Sequence, residues 1–236
     1  MAKENPYQGD IVDKKYRVLL FGGTFNPIHN GHLIMGLEAL SLCSFNKVIF
    51  MPNSIPPHKK DDMSFKHRFK MIELAIEGTS CFEVSDIESK REGPSYALDT
   101  VEYFQKIYGK DLKIAWLVGN DTIKELRTWY KIKELLDKCY FFIAERNLYI
   151  DNFKPHSKQE VLNECENILQ EIGTKGSVNK YFMPLITPII EISSSKIRYD
   201  IYHNERYPTR FVVPEKVEKY IYDNRLYRNK QELNFI

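Results

Sequence analysis

Cysteine is scarce in this chain: four in 236 residues, Cys43, Cys81, Cys139 and Cys165. No two form a CxxC pair, so neither a zinc knuckle nor a disulfide framework is supported, and a reducing compartment fits. Long apolar runs are missing as well. None approaches the roughly 18 residues a membrane helix needs, and the opening "MAKENPYQGDIVDKKYR" is polar where a signal peptide would be apolar. Charge of one sign is lacking too. Lys and Arg total 34 against 32 Asp and Glu, which gives no electrostatic case for nucleic acid or a membrane surface. Internal repeats and low-complexity segments are absent. What remains is the expectation of a soluble, cytoplasmic, globular protein with ample apolar content for a buried core.

Short apolar runs alternate with amphipathic ones. "YRVLLF", "KVIFMP", "FEVSDIE", "LKIAWLVG" and "YFFIAER" read as strands, and "TPIIEI" as a last one. Between them, "HLIMGLEALSLC" places Leu33, Leu37 and Leu40 on one helical face. "SFKHRFKMIELAIEG" is a helix with Ser64 as N-cap and Gly78 as stop. "SYALDTVEYFQKIYG" is a helix ending at Gly109, with Tyr103, Phe104 and Tyr108 assigned to packing and helix surface. "DTIKELRTWYKIKELLDK" makes one or two helices. The order predicts an α/β fold: a Rossmann-like open parallel sheet with helices on both faces. One domain is expected over 1–236, with a tail at 1–15, a helical insertion at 147–182 and C-terminal helices at 193–227. The insertion holds "SKQEVLNECENILQEIG", with a Ser157/Glu160 capping box, Gly173 as stop, and Val161, Cys165, Ile168 and Ile172 on its apolar face.

In such a sheet, ligands sit outside the carboxyl ends of the strands, near helix N-termini. "GGTFNPIHNGH" follows the first strand there. Gly22 and Gly23 permit close backbone approach and positive φ. Thr24 to Pro27 then turns the chain into a helix whose N–H groups favour an anion. The stretch is neither a Walker A loop nor a GxGxxG turn. His29 and His32 lie one helical turn apart, so both imidazoles can face one ligand. For any isolated HxxH, turn and cap histidines are the commoner case. A metal site lacks the HExxH glutamate and a third ligand. Donors aimed at phosphate oxygens agree with the glycine turn and the helix start, and that reading is preferred.

"ISSSKIR" (192–198) repeats the logic, with three serines at a helix start and two cations, Lys196 and Arg198, in the first turn or so. A serine-capped surface helix with solvated cations is an equal alternative. Together the two stretches resemble the paired signature of the nucleotidyltransferase superfamily that carries an HxGH motif. "MPNSIPPHK" (51–59), "REGPSYALDT" (91–100), "VGND" (118–121), "WYKIKELL" (129–136) and "YIYDNRLY" resemble bacterial nicotinate mononucleotide adenylyltransferase in order and spacing. The likeness runs from Tyr16 to Tyr227 apart from 147–182.

The resemblance implies adenylyl transfer from ATP to nicotinate mononucleotide, giving deamido-NAD and pyrophosphate. A phosphate monoester has a second pKa near ~6, so the nucleophile is already deprotonated and no general base is needed. Positioning and charge compensation are what the reaction needs. His29, His32 and Arg198 match the catalytic positions, with Gly22, Gly23, Thr24, Phe25, Gly119, Asp121, Ser193 and Ser194 on the ATP side. Asp121 reads equally as a helix cap. Asn53, Lys59, Tyr96, Ala97, Trp129, Tyr130 and Arg146 would hold the mononucleotide. Trp129 matches the pyridine-stacking ring, and Tyr130 would offer a backbone N–H to the nicotinate carboxylate. Mg²⁺ is expected to arrive with ATP, bound mainly through phosphate oxygens and water, without protein metal ligands. The implied partners are ATP and nicotinate mononucleotide, with no nucleic acid and no membrane; a homo-oligomer is left open.

Two positions depart from the family pattern. Asn26 stands where bacterial members commonly carry Asp, and Ala97 where a threonine is common near the pyridine carboxylate. The second departure leaves acid-against-amide selectivity to the backbone. Use of nicotinamide mononucleotide, of both mononucleotides, or a nucleotide-binding regulator without turnover are the alternatives.

Overall fold

The computed structural model describes residues 18–43, 45–55, 63–110, 114–144, 158–185, 192–203 and 209–228. Six strands alternate with helices: β1 (Val18–Gly23), α1 (Asn30–Cys43), β2 (Lys47–Pro52), α2 (Phe65–Ile76), β3 (Phe82–Val84), α3 (Ala97–Tyr108), β4 (Ile114–Gly119), α4 (Asn120–Ile123), α5 (Ile132–Lys138), β5 (Cys139–Ala144), α6 (Lys158–Glu171), β6 (Phe182–Leu185), α7 (Ser194–His203) and α8 (Glu215–Asp223). The strands form one sheet in the order β3-β2-β1-β4-β5-β6. β1 runs parallel to β4 (Leu19 opposite Ala115), β4 to β5 (Ile114 opposite Cys139), and β5 to β6 (Phe141 opposite Phe182). Leu117 and Phe141 are fully buried, as unbroken apolar strands under two helical layers should be. The strand order reverses at β1, and the carboxyl end of β1 is the Gly22–Gly23 pair.

The chain divides into two compact units. The first comprises Met1–Phe21, Met35–Val48 and Tyr96–Ile190. Its centre is an aromatic ladder of edge contacts, Trp116 to Trp129 at 6.3 Å and Trp129 to Phe141 at 6.0 Å, extended by a tilted Phe141–Phe182 pair at 5.9 Å. α6 packs on β6 and α4. Val161, Cys165 and Ile168 of its expected apolar face are buried, with Leu169 beside them, while Ile172 is half-buried. The 147–182 segment therefore contributes a packed helix, as its periodicity predicts. Ser157 of the expected capping box lies outside the described residues.

The second unit comprises Gly22–Ile34, Ile49–Ser95 and Glu191–Ile236. Here Ser64 caps α2, its side chain accepting the His67 N–H at 3.4 Å. α2 stops at Gly78, whose φ of +83° a side-chain-bearing residue would resist. Met71 and Ile72 of α2 are fully buried, each worth about 1.5–3 kcal/mol. α8 packs on α2, with a His67 Nδ1 to Tyr220 hydroxyl hydrogen bond at 2.9 Å and a Lys216–Glu77 ion pair at 2.8 Å.

Two expectations change. A strand absent from the sequence reading, "FMPL" at Phe182–Leu185, supplies β6. Pro184 concealed it, and a proline is tolerated because, among the described residues, β6 is the edge of the order. "TPIIEI" itself falls on 187–192, of which 187–191 lie outside the described residues. The second change concerns the glycine turn. The left-handed backbone there belongs to Phe25, at φ +51°, rather than to Gly22 or Gly23.

Candidate active site

The second unit assembles the residues expected at the phosphates around one turn, Thr24 to His29. Phe25 turns its ring back over Gly23 and packs edge-on against Phe50 at 5.6 Å and His32 at 5.0 Å. The His29 and His32 rings stack at 3.6 Å, inclined by 24°. Both are buried. The His29 backbone N–H donates to His32 Nδ1 at 3.2 Å, just ahead of α1. That bond satisfies one exposed donor of the helix start, so the capping reading is part of the truth. It also fixes the tautomer: with Nδ1 accepting, the neutral ring carries its proton on Nε2, which becomes the donor.

α7 meets the same turn. Arg198 is buried, and its Nη1 donates to the Asn26 carbonyl at 2.7 Å while Nη2 donates to the Ser195 hydroxyl at 3.3 Å. The Ser194 hydroxyl donates to the Pro27 carbonyl at 2.9 Å. Ser193 accepts the Lys196 N–H at 3.1 Å, which is a helix cap. Lys196 is drawn outward to Asp200 at 2.8 Å. The two readings of "ISSSKIR" thus separate by residue: Ser193 caps, Lys196 is solvated, and Ser194 and Arg198 are committed to the turn.

Asn53, at the end of β2, joins the network. Its N–H donates to the Gly23 carbonyl at 3.1 Å and its Nδ2 to Thr24 Oγ1 at 3.4 Å. Arg68 on α2 holds both partners, donating from Nη1 to the Thr24 carbonyl at 3.0 Å and to Asn53 Oδ1 at 3.4 Å. The Ser95 hydroxyl accepts the N–H groups of Ser54 and Ile55 at 2.9 and 3.3 Å, tying the "PNSI" and "GPSY" stretches together.

The first unit carries the residues expected at the nucleosides. Gly119 ends β4 and is the N-cap of α4, which makes Asp121 the second residue of that helix rather than its cap. Tyr96 is the N-cap of α3 without a side-chain capping bond, and Ala97 is the first helical residue. The Tyr96 ring stacks on Tyr130 at 4.4 Å, and Lys131 Nζ lies 5.4 Å over the Tyr130 ring. Trp129 is half-buried in the aromatic ladder, between Trp116 and Phe141, and is followed closely by a left-handed Lys131 at φ +48°. Lys59 and Arg146 lie outside the described residues. Among the described residues, no group of three or more His, Cys, Asp or Glu is placed to hold a metal ion, and no helix is long and apolar enough to cross a membrane.

Four contributors escaped the sequence reading: Arg68, Ser95, Tyr227 and the backbone of Asn26. Arg68 alone left a signal. It shares a helical face with Met71, Ile72 and Ile76, and a cation on an apolar face is unusual. Tyr227 donates to Asn26 Oδ1 at 2.6 Å across most of the chain, which no local pattern reveals.

Comparison with known proteins gives a consistent result. The chain matches the cytidylyltransferase-like family over residues 20–199. It is 35% identical over 221 residues to the nicotinate-nucleotide adenylyltransferase of Bacillus subtilis (strain 168), covering 90% of this chain and 99% of that one. A probable nicotinate-nucleotide adenylyltransferase of Caldicellulosiruptor bescii is 37% identical over 215 residues, with the same two coverages. Among solved structures, Plasmodium falciparum nicotinic acid mononucleotide adenylyltransferase complexed with NaAD superposes with a TM-score of 0.65 at 19% identity, over 90% of this chain and 97% of that one. At that identity the likeness is one of fold, and it agrees with the six-stranded sheet described above.

Proposed function

The chain belongs to the nicotinate-nucleotide adenylyltransferases, within the cytidylyltransferase-like family, and from that premise we propose how its residues share the transfer of an adenylyl group from ATP to nicotinate mononucleotide. The observation that carries the proposal is the convergence of His29, His32, Ser194 and Arg198 on the single turn Asn26–Pro27 and the helix start behind it.

The mononucleotide phosphate is the nucleophile and needs no base at neutral pH. It attacks the α-phosphorus in line, and pyrophosphate leaves with the electron pair of the broken P–O bond. Charge builds on the phosphate oxygens during that step. His32 Nε2–H is a donor preset by the His29 N–H, so it meets the developing charge without reorganising. The Arg198 plane is set by its bonds to Asn26 and Ser195, and its guanidinium serves the β- and γ-phosphates. The turn offers hydrogen-bond donors, a set that suits ATP arriving as its Mg²⁺ complex with the ion held by phosphate oxygens and water. Asn53 supports the mononucleotide phosphate, and Gly119 and Asp121 the adenosine ribose. Trp129 and the Tyr96–Tyr130 stack offer aromatic surface to the pyridine ring.

Selection of acid over amide falls to the start of α3. Ala97 brings no hydroxyl, but its first-turn N–H groups have no side-chain cap from Tyr96. A carboxylate accepts such donors with both oxygens, whereas an amide presents its own N–H groups to them. The same missing hydroxyl favours the second reading, in which the amide is also used. The family match runs through segments of both units, which supports reading the chain as one nucleotidyltransferase domain. None of the four cysteines forms a disulfide, in keeping with a cytoplasmic setting.

The test is turnover in two variants. His32→Ala is expected to lower kcat roughly 10²–10³-fold by analogy with a lost oxyanion donor. Arg198→Ala is expected to raise the KM for ATP. Unchanged pyrophosphate release in both would refute these roles.

A further inference from the structure

Three groups from the C-terminal elements grip one turn of the HxGH loop. Arg198 Nη1 holds the Asn26 carbonyl at 2.7 Å, and the Ser194 hydroxyl holds the Pro27 carbonyl at 2.9 Å. The third is Tyr227, whose hydroxyl donates to Asn26 Oδ1 at 2.6 Å. Tyr227 has no exposed surface, and Asn26 is 5% exposed. The donor comes from the segment just beyond α8, where Arg225 and Tyr227 both adopt left-handed backbone, at φ +52° and +63°. Non-glycine residues take that conformation at a cost, so two in three residues mark a segment held by its contacts. One such contact is Leu226 N–H to the Ile221 carbonyl at 3.0 Å.

We propose that Tyr227 is a positioning residue for the phosphate end of ATP, acting through Asn26 on Arg198. The hydroxyl fixes the Asn26 side chain, and with it the orientation of the peptide whose carbonyl anchors Arg198. Without that bond, Asn26 Oδ1 loses its Tyr227 donor in a buried site, and the side chain is released from the orientation that the bond sets. The carbonyl turns with it, and the guanidinium loses one of the two acceptors that set its plane. A neutral Asn26 suits this arrangement. Its oxygen accepts from the tyrosine as a carboxylate would, without burying a negative charge beside the phosphates. The packing alternative is that Tyr227 only fills space beside Met71, whose Sδ lies 3.9 Å from the hydroxyl. That role would move stability alone.

The inference rests on Arg198 being a phosphate contact, and the experiment separates the two ideas. Initial rates are measured for Tyr227→Phe, Arg198→Ala and the double variant, varying ATP and nicotinate mononucleotide in turn. Losing one hydrogen bond that sets geometry is expected to raise the KM for ATP by about three- to tenfold. The KM for nicotinate mononucleotide should stay within about twofold, since the bond does not reach Asn53. In the Arg198→Ala background, Tyr227→Phe should add nothing further. A normal KM for ATP in Tyr227→Phe overturns the positioning role while leaving Arg198 in place. An additive rise in the double variant overturns the route through Arg198. If Arg198→Ala itself leaves the KM for ATP unchanged, both ideas fall together. Should Tyr227→Phe not fold, Asn26→Ala breaks the same link, and an unaltered KM for ATP there would be equally decisive.

Discussion

Gly23→Ala is a small change with a calculable consequence. A Cβ at Gly23 would sit 3.0 Å from Phe25 Cζ and 3.2 and 3.3 Å from two other ring carbons. Carbon contacts normally settle at about 3.5–4.0 Å, so the ring must withdraw by a few tenths of an ångström. It has little room to do so. Phe25 is 2% exposed, pressed against Phe50 and His32, on a backbone already left-handed. Overpacking of this kind costs about 1–3 kcal/mol. Against it stands the gain from removing a flexible glycine at a φ that alanine tolerates, about 0.4–1 kcal/mol. The net is a loss of up to about 2.6 kcal/mol, and at roughly 2–4 °C per kcal/mol for a chain of this size, Tm falls by up to about 10 °C. Turnover falls as well, because the displaced ring pushes on His32. The same substitution in a Phe25→Leu background meets no ring, so only the favourable glycine term remains and Tm should hold or rise. Thermal denaturation of the four proteins decides it. An equal fall in both backgrounds would show that the Phe25 contact is not the reason for glycine at this position.

Other consequences follow from the same geometry. Arg68→Met removes the shared donor from the Thr24 and Met63 carbonyls; at about 1–3 kcal/mol for each acceptor left without it, a loss of roughly 2–6 kcal/mol is expected in urea denaturation. Lys138 bonds Glu134 and Glu102, which holds the Glu134 carboxyl below its ordinary 4.5 and the Lys138 ammonium above its ordinary 10.5. The carboxylate's contribution is present above 4.5 and lost as pH falls through the folded value, and the ammonium's is lost as pH rises past 10.5. Lys138→Met should therefore lower the denaturation midpoint between those limits, with the gap to wild type closing in acid. Burial pushes the Cys43 and Cys165 thiols up to about 12. Alkylation of the buried Cys165 at neutral pH should be slow in the native protein and fast in urea, and rapid native labelling would contradict its burial.

Where local chemistry decides structure, the chain is readable. "KVIFMP" is β2 to the residue, and Ser64 caps α2 because a hydroxyl three residues before His67 has an obvious donor to meet. The HNGH and ISSSKIR stretches were legible as helix starts. Which hydroxyl caps and which holds the turn was not, because that depends on Pro27 and Asn26 arriving from more than 160 residues away. Phe25 in left-handed backbone was hidden by two neighbouring glycines that seemed to account for the turn. β6 was hidden by Pro184, which argues against a strand until its edge position is known. Arg68 and Tyr227 belong to the same class. Each sits in an apolar pattern and finds its hydrogen-bond partner only through the tertiary fold.

The most direct test is pyrophosphate release from ATP and Mg²⁺ with nicotinate mononucleotide and nicotinamide mononucleotide side by side, and His32→Ala as control. The account predicts clear preference for the acid and a roughly 10²–10³-fold slower rate in the variant. Equal or better use of the amide would contradict selection by the N-terminus of α3, and release with neither mononucleotide would contradict the assignment of substrate.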